Sequence, residues 1–198
     1  NSINIGRLVP QVAYYVYAYA KLLANEEIED GEEINVAVPT GNFGNILAAY
    51  YAKQMGVPIA KLICASNENK VLFDFFETGT YDKNREFVLT SSPSMDILIS
   101  SNLERLIYLI AGEDSERTKA LMAGLKDGGS YGITDDMRQR LADFAAGYAT
   151  EEETAGCIRS VCEKTGYVMD THTAVAAHVC GQYRSKSKDT RKCVVAST

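Results

Sequence analysis

The chain has 198 residues, 46% of them hydrophobic and 23% charged, the composition of a globular protein long enough for one sizeable core. Lysine and arginine total 20 against 26 acidic residues, a net charge of −6, which argues against nucleic-acid binding. No apolar run is long enough to span a membrane. The cysteines (Cys64, Cys157, Cys162, Cys180 and Cys193) are odd in number and lack zinc-site spacing, so no metal site is expected and free thiols point to a reducing cytoplasm.

Residues 5–23 place Ile5, Leu8, Val9, Val12, Val16, Tyr19 and Leu23 at helical spacing, which predicts a helix with one buried stripe. Pro10 marks its first turn or a kink. Tyr14, Tyr15, Tyr17 and Tyr19 read as an amphipathic rim on that helix. Residues 25–33 are an acidic connector.

Residues 34–56 organise the rest. Ile34, Val36 and Val38 make a short β-branched run that suits a buried parallel strand. Pro39 stops it, because proline cannot donate to a ladder. Gly41 and Gly44 allow a tight turn and close approach of a ligand to the backbone. Asn45 reads as a helix cap, and Gly56 with Pro58 ends the helix. The result is a helix N-terminus whose free N–H groups favour an anion, most often a phosphate. No Lys-Ser or Lys-Thr pair follows Gly44 and the spacing is not Gly-x-Gly-x-x-Gly, so neither a nucleoside-triphosphate loop nor a dinucleotide fingerprint fits. A cradle for a single phosphate remains, flanked by Asn42 and Asn45; a plain βα turn is the bland alternative.

A second strand over residues 60–65 completes a βαβ unit. Residues 66–69 lie past its carboxyl end, where they either line a site or cap the next helix. The run from Thr90 to Asp96 reads as a serine-rich helix start, continuing through Ile97, Leu98, Leu103, Leu106 and Ile110 to Gly112. Residues 113–166 read as a peripheral helical insertion, with a capping box at Thr150. Residues 167–170 read as a short strand or extended entry to a helix opened by Thr171, His172 and Thr173. His172 is a cap, a packed polar residue or a ligand contact, and Thr173 is a hydroxyl at a helix N-terminus, able to donate to or accept from a ring nitrogen. Residues 192–196 form a final strand. Alternating strands and helices give an α/β class: one domain over 1–198, three-layered, with a mostly parallel sheet and helices on both faces. Both ends look cut from a longer chain, starting without Met and stopping at the tail of a buried strand.

Four stretches in order then resemble the threonine synthase family of fold type II pyridoxal-phosphate enzymes, relatives of the tryptophan synthase β chain. They are Asn1-Ser2-Ile3-Asn4, Pro39-Thr40-Gly41-Asn42-Phe43-Gly44-Asn45, Ser94-Met95-Asp96-Ile97 and Asp170-Thr171-His172-Thr173-Ala174-Val175. The resemblance implies that Gly41, Asn42, Phe43, Gly44 and Asn45 hold the 5′-phosphate of pyridoxal 5′-phosphate and that Thr173 meets the pyridine nitrogen. It implies substrate contacts from Asn1, Ser2, Asn4, Thr40 and His172. Thr40 stands where serine is common, and Thr171 where proline is common. The implied reaction converts O-phospho-L-homoserine and water to L-threonine and phosphate. The lysine that carries the cofactor lies, in the family, in a Phe-Lys stretch upstream; no Phe-Lys pair occurs here, so no catalytic residue is expected within this chain. On this reading the remainder of its own polypeptide is its partner, and the piece alone is inactive. A serine or threonine dehydratase, a cysteine synthase and a non-catalytic phosphate-binding Rossmann-like domain are the alternatives.

Overall fold

A computed structural model describes residues 3–197. A 20-residue helix α1 (Ile5–Ala24) opens the fold, capped by Asn4, whose Oδ1 accepts from the Gly6 amide at 2.8 Å. Its buried face carries Leu8, Tyr15 and Tyr19, while Ile5, Val9 and Val16 of the expected stripe are exposed. Burial therefore follows the tyrosine side, because each phenol hydroxyl finds a partner there. Tyr15 reaches Asn45 and Tyr19 reaches the Glu32 carbonyl.

The four-stranded sheet is parallel, in the order β5-β2-β1-β6, with β1 Ile34–Pro39, β2 Ile59–Ser66, β5 Phe144–Tyr148 and β6 Cys193–Val195. Side-chain alternation along β1 and β2 sends Val36, Val38, Leu62 and Cys64 to one face and Ala37, Ile63 and Ala65 to the other. The first face packs under α1, α2 (Gly44–Gln54), α3 (Val71–Thr78) and α4 (Leu103–Ile110). The second packs under α8 (Thr171–Ser187), through Val175, Ala176 and Val179, with α7 (Glu151–Thr165) outside it. A methyl group on Gly147 would lie 2.6 Å from Val179 Cγ1, so glycine in β5 is what lets α8 sit this close to the sheet. Helices on both faces of a parallel sheet are the expected class.

Between these elements lie a two-stranded antiparallel pair, β3 (Thr80–Asp82) with β4 (Ser130–Gly132), and the helices α5 (Ser115–Asp127) and α6 (Asp135–Gln139). Residues 113–166 are thus not wholly a peripheral helical layer: β5 belongs to the main sheet, where Leu62 to Ser66 of β2 pair with Phe144 to Tyr148. No strand forms over residues 167–170. The helix expected from the Thr90–Asp96 start to Gly112 is also shorter. Residues 93–95 form a single 3-10 turn, and α4 begins only at Leu103. The cause is Asp96, whose carboxylate accepts from Asn67 Nδ2 at 2.7 Å, Asn69 Nδ2 at 2.9 Å, Thr90 Oγ1 at 2.7 Å and the Thr90 amide at 2.9 Å, a set no helix start supplies. Among the described residues no helix is long and apolar enough to cross a membrane, and no cluster of His, Cys, Asp and Glu is placed to hold a metal.

Candidate functional site: an anion cup at the N-terminus of α2

The segment between β1 and α2 emerges at the carboxyl edge of the parallel sheet, where open α/β sheets collect ligands. The helix cap is Phe43, not Asn45, and Phe43 adopts a left-handed conformation, φ 64° and ψ 2°. That conformation costs a non-glycine residue about 1 kcal/mol. Burial of the ring, 1% exposed and 6.2 Å and 6.0 Å from the rings of Phe76 and Phe144, returns about 2–3 kcal/mol. Burial wins, so Phe43 anchors the loop through its side chain and offers the cup only its backbone.

The loop carbonyls are turned away from the cup. Ser100 Oγ donates to the Gly41 oxygen at 2.8 Å, and the Asn102 amide and Nδ2 donate to the Asn42 oxygen at 3.0 and 2.9 Å. The amide N–H groups of residues 41–46, in contrast, meet no protein acceptor among the described residues. Free amides at a helix start, with no acidic residue in the first turn, attract an anion. Gly41 is required by close packing: a methyl there would lie 2.6 Å from the Ser94 carbonyl oxygen.

A cavity of about 240 Å³ adjoins this loop, lined by Arg7, Leu8, Gln11, Tyr14, Asn42, Gly44, Asn45 and Asn102. Its lining includes one arginine and no acidic residue, in a chain whose net charge is −6. Gln11 Oε1 beside it is buried without a hydrogen-bond partner. A larger cavity of about 880 Å³, lined mostly by α4 and α5, is lined by none of residues 41–46.

The sequence-derived residues fall in several places. Gly41, Asn42, Gly44 and Asn45 shape the cup. Thr40 is buried, and its hydroxyl donates to the Val38 carbonyl at 2.7 Å, which braces the strand end. His172 Nε2 accepts from the Ser94 amide at 3.2 Å, and Thr171 Oγ1 donates to the Ser91 carbonyl at 2.7 Å. These bonds tie the start of α8 to the 3-10 turn that closes over Gly41. Asp170 caps α8, and the Thr173 hydroxyl donates to its carboxylate and also lies 3.2 Å from Ser197 Oγ. Asn4 caps α1, and Asn1 and Ser2 lie outside the described residues. The sequence reading missed Arg7, Gln11 and Tyr14, although their i, i+4, i+7 spacing puts them on one helix face. It also missed residues 100–102, whose link to the loop is visible only in three dimensions. Lys53, at the far end of α2, lies about 14 Å along the helix from Gly44 and pairs with Asp143 at 2.9 Å. Lys61 donates to the Ala142 carbonyl.

The chain matches no protein-family profile. It is 47% identical to threonine synthase-like 1 of Pongo abelii over 189 residues, 94% of this chain and 25% of that one. It is 37% identical to the threonine synthase of Saccharomyces cerevisiae over 208 residues, 98% of this chain and 40% of that one. Among solved structures, the threonine synthase from yeast superposes with a TM-score of 0.93 at 34% identity, and the pyridoxal-phosphate-bound threonine synthase from Brucella melitensis with 0.90 at 41%. Each match covers all of this chain and 41% of the other. A serine racemase from Dictyostelium discoideum, 12% identical with a TM-score of 0.52, shares the fold alone. The chain spans a quarter to two fifths of the length of the relatives named here. It is therefore a homologue, over nearly all its length, of the threonine synthases and threonine synthase-like 1 proteins, with the α/β fold of type II pyridoxal-phosphate enzymes.

Proposed function

We propose that these residues are the phosphate-holding part of a pyridoxal-phosphate-dependent threonine synthase, a cytoplasmic lyase that converts O-phospho-L-homoserine and water to L-threonine and phosphate. One observation carries the reading: the unpaired amides of residues 41–46 at the start of α2, beside a cavity lined by an arginine and no acidic residue. The residues fit a phosphate ester. Their backbone donors are free and the loop carbonyls of Gly41 and Asn42 are engaged by Ser100 and Asn102.

In this reading the amides of Gly41, Asn42, Phe43, Gly44 and Asn45 hold the cofactor's 5′-phosphate through the helix dipole and charge-assisted bonds. The cofactor, when bound, supplies an electron sink at the substrate's α-carbon. Thr173 meets the ring nitrogen; its hydroxyl donates to Asp170 here, so it must turn to donate to the ring, and a neutral hydroxyl does not force that nitrogen to be protonated. Arg7 adds a fixed positive charge to the cavity for a second, substrate-borne phosphate, alongside Asn1, Ser2 and Asn4. His172 acts through the Ser94 turn that covers Gly41. The lysine that bonds the cofactor comes from outside residues 1–198, so this piece alone is inactive.

The test uses the intact polypeptide. Added pyridoxal 5′-phosphate should give a visible absorbance band that borohydride fixes onto a lysine, and O-phospho-L-homoserine should release phosphate while serine and threonine are left unchanged. Turnover of serine or threonine would assign a dehydratase instead, and no absorbance band would leave a phosphate-binding domain.

A further inference from the structure

The cup contains two carboxamides, and a carboxamide has two ends of opposite sign: an oxygen that repels an anion and an NH₂ that binds one. Which end faces the cavity is therefore as important as the backbone amides. Each carboxamide is oriented here by a hydroxyl bonded to its oxygen. Tyr15, on the buried face of α1, donates from its phenol to Asn45 Oδ1 at 2.6 Å. Ser101 Oγ donates to Asn42 Oδ1 at 3.2 Å. With each oxygen engaged, each Nδ2 is left without a protein acceptor among the described residues, and both asparagines line the cavity that Arg7 enters.

We propose that Tyr15 is a positioning residue that sets the polarity of the cup, holding the Asn45 carboxamide nitrogen-forward so that it binds a phosphate monoester dianion. This rests on the phosphate-cup reading above. Burial drives the Tyr15 phenol far above the ordinary tyrosine range, so it remains a donor throughout the physiological range and cannot itself present a negative charge. Tyr15 is 4% exposed and its ring belongs to the main hydrophobic core, which holds the hydroxyl against Asn45 Oδ1. Ser101 performs the same task for Asn42 over a longer bond.

The test uses the intact polypeptide with two readouts. In the first, the side-chain amide signals of Asn45 are followed by nitrogen-15 NMR without any ligand. Tyr15→Phe should shift and broaden them, as the carboxamide gains a second orientation. Unchanged signals would overturn the proposal. In the second, inorganic phosphate is the probe. Tyr15→Phe and Asn45→Ala should each weaken binding about tenfold, and the double variant by little more than either. Fully additive losses, or an unchanged affinity in Tyr15→Phe, would also overturn it. Asn45→Asp should bind worse than Asn45→Ala, since Tyr15 then bonds one carboxylate oxygen and the other faces the anion. Ser101→Ala should weaken phosphate binding in the same direction without touching α1. If the unaltered protein binds no phosphate, the cup reading fails, while the Asn45 signals still decide the role of Tyr15.

Discussion

Gly41→Ala tests the packing of the cup directly. A methyl group at residue 41 would lie 2.6 Å from the Ser94 carbonyl oxygen and 3.3 Å from Met95 Cα. Ordinary contact begins near 3.4 Å, so loop and turn must separate by about 0.8 Å. Both neighbours are backbone and neither yields easily: Met95 is 2% exposed and the Ser94 amide is held by His172. Overpacking of this kind costs about 1–3 kcal/mol, and the rigid surroundings argue for the upper half of that range. A loss of about 2–3 kcal/mol lowers the melting temperature by roughly 5–10 °C. Gly156→Ala is the matched control. It lies inside α7 with nothing within 4 Å of the new methyl, so the same substitution should add about 0.5–1 kcal/mol through helix propensity. Thermal and urea denaturation of the intact polypeptide read both, and phosphate affinity should fall only for Gly41→Ala. Equal stability in the two variants, or a Gly41→Ala protein that binds phosphate normally, would refute the reasoning.

Phe43→Ala should destabilise by about 3–5 kcal/mol through loss of the Phe76 and Phe144 contacts, and Phe43→Gly by about 1 kcal/mol less, because glycine relieves the left-handed backbone; equilibrium unfolding ranks them. Asp189 accepts from the Arg191 amide at 2.9 Å, from Asn35 Nδ2 at 3.0 Å and from the Tyr183 hydroxyl at 3.1 Å. The Arg191 N–H foremost among these bonds pulls its carboxyl down to about 2, below its usual range. Its contribution is thus complete above about pH 4 and lost as the pH falls towards 2. It is worth about 1–2 kcal/mol after solvent screening, and Asp189→Asn should flatten the acid limb of the stability curve over that window. The Cys64 thiol is fully buried, and burial pushes it up to about 12, so a thiol reagent at neutral pH should label it only after unfolding.

The strand, glycine turn and helix at residues 34–56 were legible because each local signal points the same way: β-branched residues, then Pro39, then two glycines, then a small-residue helix. β5 was not. Phe144-Ala145-Ala146-Gly147-Tyr148 has weak strand propensity and is a strand because β2 offers an open edge and α8 needs the room at Gly147. Residues 90–102 read as a helix start and helix because serines and Asp96 resemble caps, yet they serve as donors and acceptors to segments up to 80 residues away. The cup's backbone was therefore readable, whereas the groups that aim it (Tyr15, residues 100–102 and the Ser94 turn) depend on contacts no local pattern encodes.

The most direct measurement is the crystal structure of the intact polypeptide grown with pyridoxal 5′-phosphate. Phosphate oxygens within about 2.7–3.2 Å of the amide nitrogens of residues 41–46, with the pyridine ring directed to Thr173, are the expected result. A phosphate bound away from α2, with those amides facing water or a protein carbonyl, would contradict it.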